Sequence, residues 1–304
     1  MGIWEDGKME KVGKWESEKV ESGFRVLAFN PKSKKERAMH KIGVIHYNFP
    51  EFSLSDFLRY AEDTGYDYVE LAVADVWADE IRESEKRAEA VRKEVDACGL
   101  MVSALSAAND FIQLEEKAIQ FQVDRMERVC ALAKILGTDV IRTEGGQPKK
   151  EVPKERQLEA MAGCLIRCGD FIERDEMLLA VDNHGLVTND GDLQVALFEK
   201  VGSKRVGANL DTMNYRWFGH DLKTVGRFYE IIAPYTFHTH MKDGTGCRKD
   251  YVGAALGDGE IDLERAVRCL KEAGYEGVFC SEYEGGEDSS VGYRKCYEYL
   301  NEHV

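Results

Sequence analysis

From residue 41 onward, short apolar runs that stop in polar residues alternate with longer stretches whose apolar positions recur at helical spacing. Lys41–Tyr47 reads as strand 1, closed by Pro50, and Ser53 or Ser55 caps a helix that runs to Asp63 and stops at Gly65. Tyr66–Val73 reads as strand 2, followed by a charged amphipathic helix over about 78–97 that Gly99 ends. Leu100–Leu105 is strand 3, and its helix covers about 115–136, up to Gly137. Asp139–Glu144 is strand 4, then a Gly/Pro loop and a helix over about 153–174. Strands 5 to 8 are Leu178–His184, Val206–Asp211, Tyr235–His240 and Gly277–Glu282, with helices at about 192–200, 221–232 and 262–273 between them and a last one at about 291–302.

Eight strand–helix units with short connections predict an α/β fold, a closed (β/α)8 TIM barrel over residues 41–304, in preference to an open doubly wound sheet. Residues 1–40 are charged and alternate only weakly. They read as an N-terminal arm, with a short hairpin or a subunit contact as its candidate roles. The formal charge of −15 argues against a nucleic-acid backbone as partner. No apolar run is long enough to span a bilayer, and the first residues lack the apolar segment of a secretory signal. Eight cysteines without a C-x-x-C pair match reduced, buried thiols in a cytoplasmic protein.

In a parallel barrel the reactive groups sit at the carboxyl ends of the strands. That rule selects Asp182 and His184, Asp211 and Asn214, His238 and His240, and Glu282 and Glu284. It adds Glu70, Arg142 and Glu144, with His46 on strand 1. Residues two apart on a strand share a side, so several of these project in pairs. Carboxylates and imidazoles arriving on four strands suit one divalent cation, and such an oxygen-rich set favours Mn²⁺ or Mg²⁺ over a thiolate zinc site.

The stretches Val181-Asp-Asn-His-Gly185, Leu210-Asp-Thr-Met-Asn214, His238-Thr-His-Met-Lys-Asp243, Gly257-Asp-Gly-Glu-Ile-Asp262 and Ser281-Glu-Tyr-Glu284 resemble the xylose-isomerase-like barrels over about residues 41–303. That superfamily contains sugar isomerases and epimerases, inosose dehydratases and endonuclease IV. The resemblance implies one divalent ion, Mn²⁺ first and Mg²⁺, Co²⁺ or Zn²⁺ as alternatives, held by Asp182, Asp211, His240 and Glu282. Two departures bear on mechanism. The strand-5 ligand of the family is usually glutamate, and here it is the shorter Asp182. Ketose 3-epimerase relatives carry a histidine after the strand-6 aspartate, where this chain has Asn214.

The expected chemistry is proton abstraction beside a carbonyl, with the ion stabilising the enediolate charge. Glu282 is the first candidate base, and His184 or Glu144 the second. Glu70, Arg142, Asn214, His238, Lys242 and Arg248 are candidate substrate contacts. The leading reading is therefore an isomerase or epimerase of a ketose or related polyol, working as a homo-oligomer. The alternative is a lyase that expels a β-substituent, as in inosose dehydratases and C-glycoside deglycosidases, with a second subunit as a candidate partner. DNA repair of the endonuclease IV kind needs a richer histidine set and a basic face. A non-catalytic binding module is the last option.

Overall fold

The computed structural model describes residues 41–49, 51–78 and 82–304. The expectations for residues 1–40, for Pro50 and for the start of the second helix lie outside these residues. In chain order the elements are β1 (Ile42–Ile45), α1 (Leu54–Thr64), β2 (Tyr68–Ala72), α2 (Ser84–Ala97), β3 (Met101–Ala107), α3 (Glu116–Leu136) and β4 (Val140–Thr143). Then come α4 (Gln157–Arg167), α5 (Gly169–Arg174), β5 (Leu178–Asp182), α6 (Gly191–Val201), β6 (Val206–Asp211), α7 (Asn214–Phe218) and α8 (Leu222–Ile232). The chain finishes with β7 (Thr236–Met241), β8 (Asp243–Thr245), β9 (Val252–Ala254), α9 (Leu263–Glu272), β10 (Phe279–Ser281) and α10 (Ser289–His303).

Eight parallel strands close in the order β1-β10-β7-β6-β5-β4-β3-β2. The eighth strand of the sequence reading is β10, because β8 and β9 form a separate antiparallel hairpin. Registers fix which groups meet at the rim. Asp211 lies opposite His240, His240 opposite Cys280, and Ile45 opposite Glu70.

Local chemistry sets the helix limits. Ser53 caps α1 by accepting from the Asp56 N–H, and Gly65, at φ 106°, takes the left-handed turn that ends it. Aspartates 190, 221, 262 and 288 cap α6, α8, α9 and α10 in the same way. The helix expected over 153–174 breaks in two at Cys168–Gly169. The main apolar core lies between strands and helices, with Val44, Val69, Leu71, Phe57 and Tyr293 almost fully buried. A smaller cluster of Ala104, Val140 and Ala180, backed by Leu178 and Phe237, packs separately from that core. All eight cysteines are free. Among the described residues no helix is long and apolar enough to cross a membrane.

The β8–β9 hairpin was not legible as strand. One side chain holds it. The buried Asp243 carboxylate accepts from the backbone N–H of Gly244 (2.8 Å), Gly257 (3.0 Å), Gly259 (3.1 Å) and Ile261 (3.2 Å). A Cβ on Gly259 would come within 2.0 Å of Asp243 Oδ1, so the backbone reaches the carboxylate only because that residue is glycine. Gly253 bridges to Gly285 beyond β10, which lays the hairpin over the end of that strand.

Candidate metal centre

Four strands deliver the central groups. Asp182 ends β5, Asp211 ends β6, His240 lies near the end of β7 and Glu282 follows β10. Asp211 is held by its neighbours before any ligand is considered. Its N–H donates to Asn183 Oδ1 (2.8 Å), and its carbonyl accepts from Asn183 Nδ2 (3.0 Å). Its Oδ1 accepts from the N–H groups of Met213 and Asn214, both at 2.8 Å, and so starts α7. Oδ2 remains, buried and without a hydrogen-bond partner. Asp182 is similar. Oδ2 accepts from Arg142 Nη2, and Oδ1 is buried without a partner.

His240 sits between two carboxylates. Its Nε2 is 2.7 Å from Glu70 Oε2, and its Nδ1 is 2.9 Å from Glu282 Oε2. The second contact is out of line for a hydrogen bond, so Nδ1 has no partner. Glu282 Oε1 is bound instead by Lys242 Nζ at 3.0 Å. Lys242 also lies 2.8 Å from Glu284 Oε2 and 4.0 Å from Asp211 Oδ2. It is only 4% exposed, so it belongs to the centre and is no solvated loop charge.

Burial and charge divide the protons. Burial pushes the Asp211 carboxyl up, and the Glu282 and Asp182 carboxylates add to this against the pull of Lys242, leaving it at about 8. Burial opposes charge on His240 too, but Glu70 and Glu282 outweigh it and raise the imidazole well above its ordinary value. For Asp182, Glu70 and Glu282 burial would raise the carboxyl, yet their cationic neighbours lower all three. Those neighbours are chiefly Arg142, His240 and Lys242 respectively.

The donor set fits a divalent cation. One donor atom from each of Asp182, Asp211 and His240 lies within 4.8 Å of the other two, and each of these residues has a buried atom without a partner. Setting aside the part-exposed, solvated Glu144 and Glu284, the four buried carboxylates (Glu70, Asp182, Asp211, Glu282) face two permanent cations (Arg142, Lys242), which leaves two negative charges over. One dication beside a neutral His240 balances that excess; otherwise protons on Asp211 and His240 must do so. A second group of donors, Glu70, His238 and Cys280, is just as close together. There the donors are already engaged. His238 Nδ1 pairs with Asn209 Oδ1 (2.9 Å) and Nε2 with Ser103 Oγ (3.2 Å). Burial lowers His238 to about 4 and raises the Cys280 thiol, so in that layer these two groups are neutral and Glu70 alone carries charge, already paired with His240.

The remaining candidates divide between the centre and its rim. Arg142 joins Asp182 to Glu144, whose Oε1 is 3.6 Å from Nη1. His184 lies past the end of β5, with Nε2 3.9 Å from Glu144 Oε1 and its side chain 44% exposed. Asn214 is buried and reaches Asp211 through its backbone N–H. Two positions fall outside the group. Arg248 is exposed, with its guanidinium 5.1 Å above the Phe218 ring on the hairpin's outer side. His46 stacks on Phe57 of α1 and pairs with Asp75 at 3.0 Å. Sequence reasoning missed Asn183, Asp243 and Tyr251. Asn183 and Asp243 lie inside the motifs that carry the resemblance, but neither shows its partner without the fold. Tyr251 donates to Glu284 Oε2 at 3.0 Å from the hairpin that the pattern concealed.

Compared with curated protein sequences, the chain finds no match. Among solved structures it is similar to the IOLI protein with a binding zinc atom, at 19% identity and a TM-score of 0.68, over 86% of this chain and 95% of that one. It is also similar to D-psicose 3-epimerase with D-tagatose from Clostridium cellulolyticum H10, at 12% identity and a TM-score of 0.70, over 86% and 97%. A third is the probable 3-DHS dehydratase AsbF from Bacillus anthracis, at 16% identity and a TM-score of 0.67, over 86% and 98%. Likenesses at these identities establish the shared barrel. The sequence itself carries more, because a family model described as "Xylose isomerase-like TIM barrel" matches residues 58–303, a span holding Glu70, all four central strand-end groups and the hairpin. On that match the chain belongs to the xylose isomerase-like TIM barrels.

Proposed function

We propose that this protein is a divalent-metal-dependent enzyme that moves a proton on a carbon beside the carbonyl of a keto sugar or related polyol. The observation that carries this reading is the convergence of Asp182, Asp211 and His240, each with a buried atom that has no partner. With Glu282 they would hold the ion, Mn²⁺ first among the candidates. When bound, such an ion supplies positive charge that polarises a carbonyl and favours loss of the neighbouring proton.

The protein groups then have separate tasks. Glu282 is clamped by Lys242 and faces His240, which holds its carboxyl well below the usual range and makes it a ligand before a base. Asp182 has Oδ2 tied by Arg142 and Oδ1 turned to the ion site, and its short side chain makes it a ligand rather than a base. His184 is the group left free to do so. It stands at the mouth, half exposed, with Glu144 Oε1 3.9 Å from Nε2. Proton transfer then has one active side, so isomerisation, with the proton returned on the face it left, is the reading we adopt. Epimerisation through two opposed carboxylates would require Asp182 to be freed from Arg142.

The same tether favours one second reading. A single base also suffices for elimination, in which the carbanionic intermediate expels a β-substituent, and members such as the probable 3-DHS dehydratase share this barrel. The test begins with chelator-treated protein titrated calorimetrically with Mn²⁺, Mg²⁺, Co²⁺ and Zn²⁺, alongside Asp211→Asn. One equivalent bound by the wild type and none by the variant is expected. Loaded protein is then incubated with a panel of keto sugars in D₂O. Deuterium appearing beside the carbonyl without loss of a group supports isomerisation, and growth of an enone absorbance supports elimination. A protein that binds no ion, or exchanges no proton in any member of the panel, would end the proposal.

A further inference from the structure

We infer that Glu70 is the positioning residue of the metal centre: it takes the Nε2 proton of His240 and thereby turns the Nδ1 lone pair toward Asp182, Asp211 and Glu282. This rests on the proposal that those residues hold a divalent ion, and it adds which nitrogen is the ligand and what fixes it.

A neutral imidazole has one N–H and one lone pair, and the hydrogen bond made by one nitrogen decides the role of the other. The two nitrogens of His240 face different surroundings. Nε2 is 2.7 Å from Glu70 Oε2, in a contact with hydrogen-bond geometry. Nδ1 is 2.9 Å from Glu282 Oε2 but out of line with it, and has no partner. The two carboxylates also differ in what else they have. Glu282 Oε1 already accepts from Lys242 Nζ at 3.0 Å. Glu70 is only 4% exposed and has no lysine beside it. The other imidazole near it, His238 Nδ1, stands 3.5 Å away and is engaged with Asn209 at 2.9 Å. Glu70 therefore depends on the His240 proton for its hydrogen bond, and Glu282 does not. With Nε2 protonated toward Glu70, a neutral His240 keeps its lone pair on Nδ1, 2.9 Å from Glu282 Oε2, where a shared cation would serve both groups. Glu70 comes from β2, across the barrel from β6 and its Asp211, and lies outside the group formed by Asp182, Asp211 and His240. Its task is orientation, and a buried anion behind the imidazole also makes Nδ1 a stronger donor.

The test uses full-length protein. Glu70→Gln keeps the shape and an acceptor oxygen but removes the charge. The expected result is a Mn²⁺ affinity about 10–100-fold weaker than wild type by calorimetry, with cooperative unfolding of the chelator-treated variant confirming that it is folded. The second measurement needs no variant: ¹⁵N correlation spectra of histidine-labelled, Zn²⁺-loaded wild type should show His240 with metal-shifted Nδ1 and protonated Nε2. A His240 assignment by loss of its signals in His240→Gln completes it. The inference is overturned if Glu70→Gln binds Mn²⁺ within twofold of wild type, or if Nε2 is the metal-shifted nitrogen. If wild type binds no ion at all, the metal proposal itself falls and takes this with it. Binding by wild type with unchanged affinity in the variant removes only the role of Glu70.

Discussion

Without a bound ion, the stability of this protein should fall as pH rises above about 6.5, and metal should remove that fall. Three groups of the centre titrate between the unfolded and folded values that matter. Asp211 is raised from 3.8 to about 8, His240 is raised well above 6.5, and His238 is lowered from 6.5 to about 4. Stability changes with pH according to the protons held by the unfolded chain minus those held by the fold. From about pH 4 to 6.5 folded Asp211 holds one proton more than its unfolded counterpart and folded His238 one fewer, so the two nearly cancel. Above 6.5 the unfolded histidines are neutral and His238 drops out. Asp211 and His240 then both hold a proton that the unfolded chain lacks. Their contributions, complete below the unfolded values, are lost as pH climbs toward the folded ones. Two such groups give a slope of about 2.7 kcal/mol per pH unit, on the order of 4 kcal/mol between pH 6.5 and 8. The lowered carboxyls of Glu70, Asp182 and Glu282 have the opposite sign and act only in acid, below this window. Urea unfolding from pH 5 to 8.5 with chelator present measures the slope. Calorimetric Mn²⁺ titration at pH 7 in buffers of different ionisation heat measures the protons displaced, expected to approach two. A chelated protein equally stable at pH 6.5 and 8, or metal binding that releases no proton, would refute the charge balance drawn for the centre.

Other outcomes follow from single contacts. His184→Ala should lower turnover by about 10²–10⁴-fold while Mn²⁺ affinity stays within a few-fold of wild type, separating the base from the ligands by comparing kcat with the calorimetric constant. Arg142→Met leaves the buried Asp182 without its partner, and urea unfolding of chelated protein at pH 7 should show a loss of about 3–5 kcal/mol, partly restored by metal. Asp243→Ala strips the acceptor from four backbone N–H groups, and denaturation should show a cost of about 2–4 kcal/mol with faster amide exchange at Gly244, Gly257, Gly259 and Ile261.

The barrel was legible because each of its strands is a short apolar run cut off by glycine, proline or a capping residue, and such punctuation is local. The convergence of Asp182, Asp211 and His240 was legible because strand-end polarity in a parallel barrel points one way, and all three obey it. The partners of Lys242 were hidden for a physical reason. A lysine between Met241 and Asp243 carries no sign that Glu282 and Glu284, some 40 residues on in sequence, will close around it. Arg142 is the same case, since its partner Asp182 stands on the neighbouring strand. Asp211 carries a second task, starting α7, that becomes visible only in the fold. The short hairpin stayed hidden because three-residue strands with glycine at their centres lack any alternating pattern.

The Asp243 carboxylate ties the chain at 244 to the chain at 257–261, so the dozen residues between leave and re-enter the barrel at one fixed point. Their composition can change, even in length, without shifting the frame that supports Lys242 and the strand-end groups. The fold thus sets a replaceable insert beside a fixed frame. Exchange of that insert between relatives is the natural route by which this scaffold would acquire a new preference while keeping its chemistry.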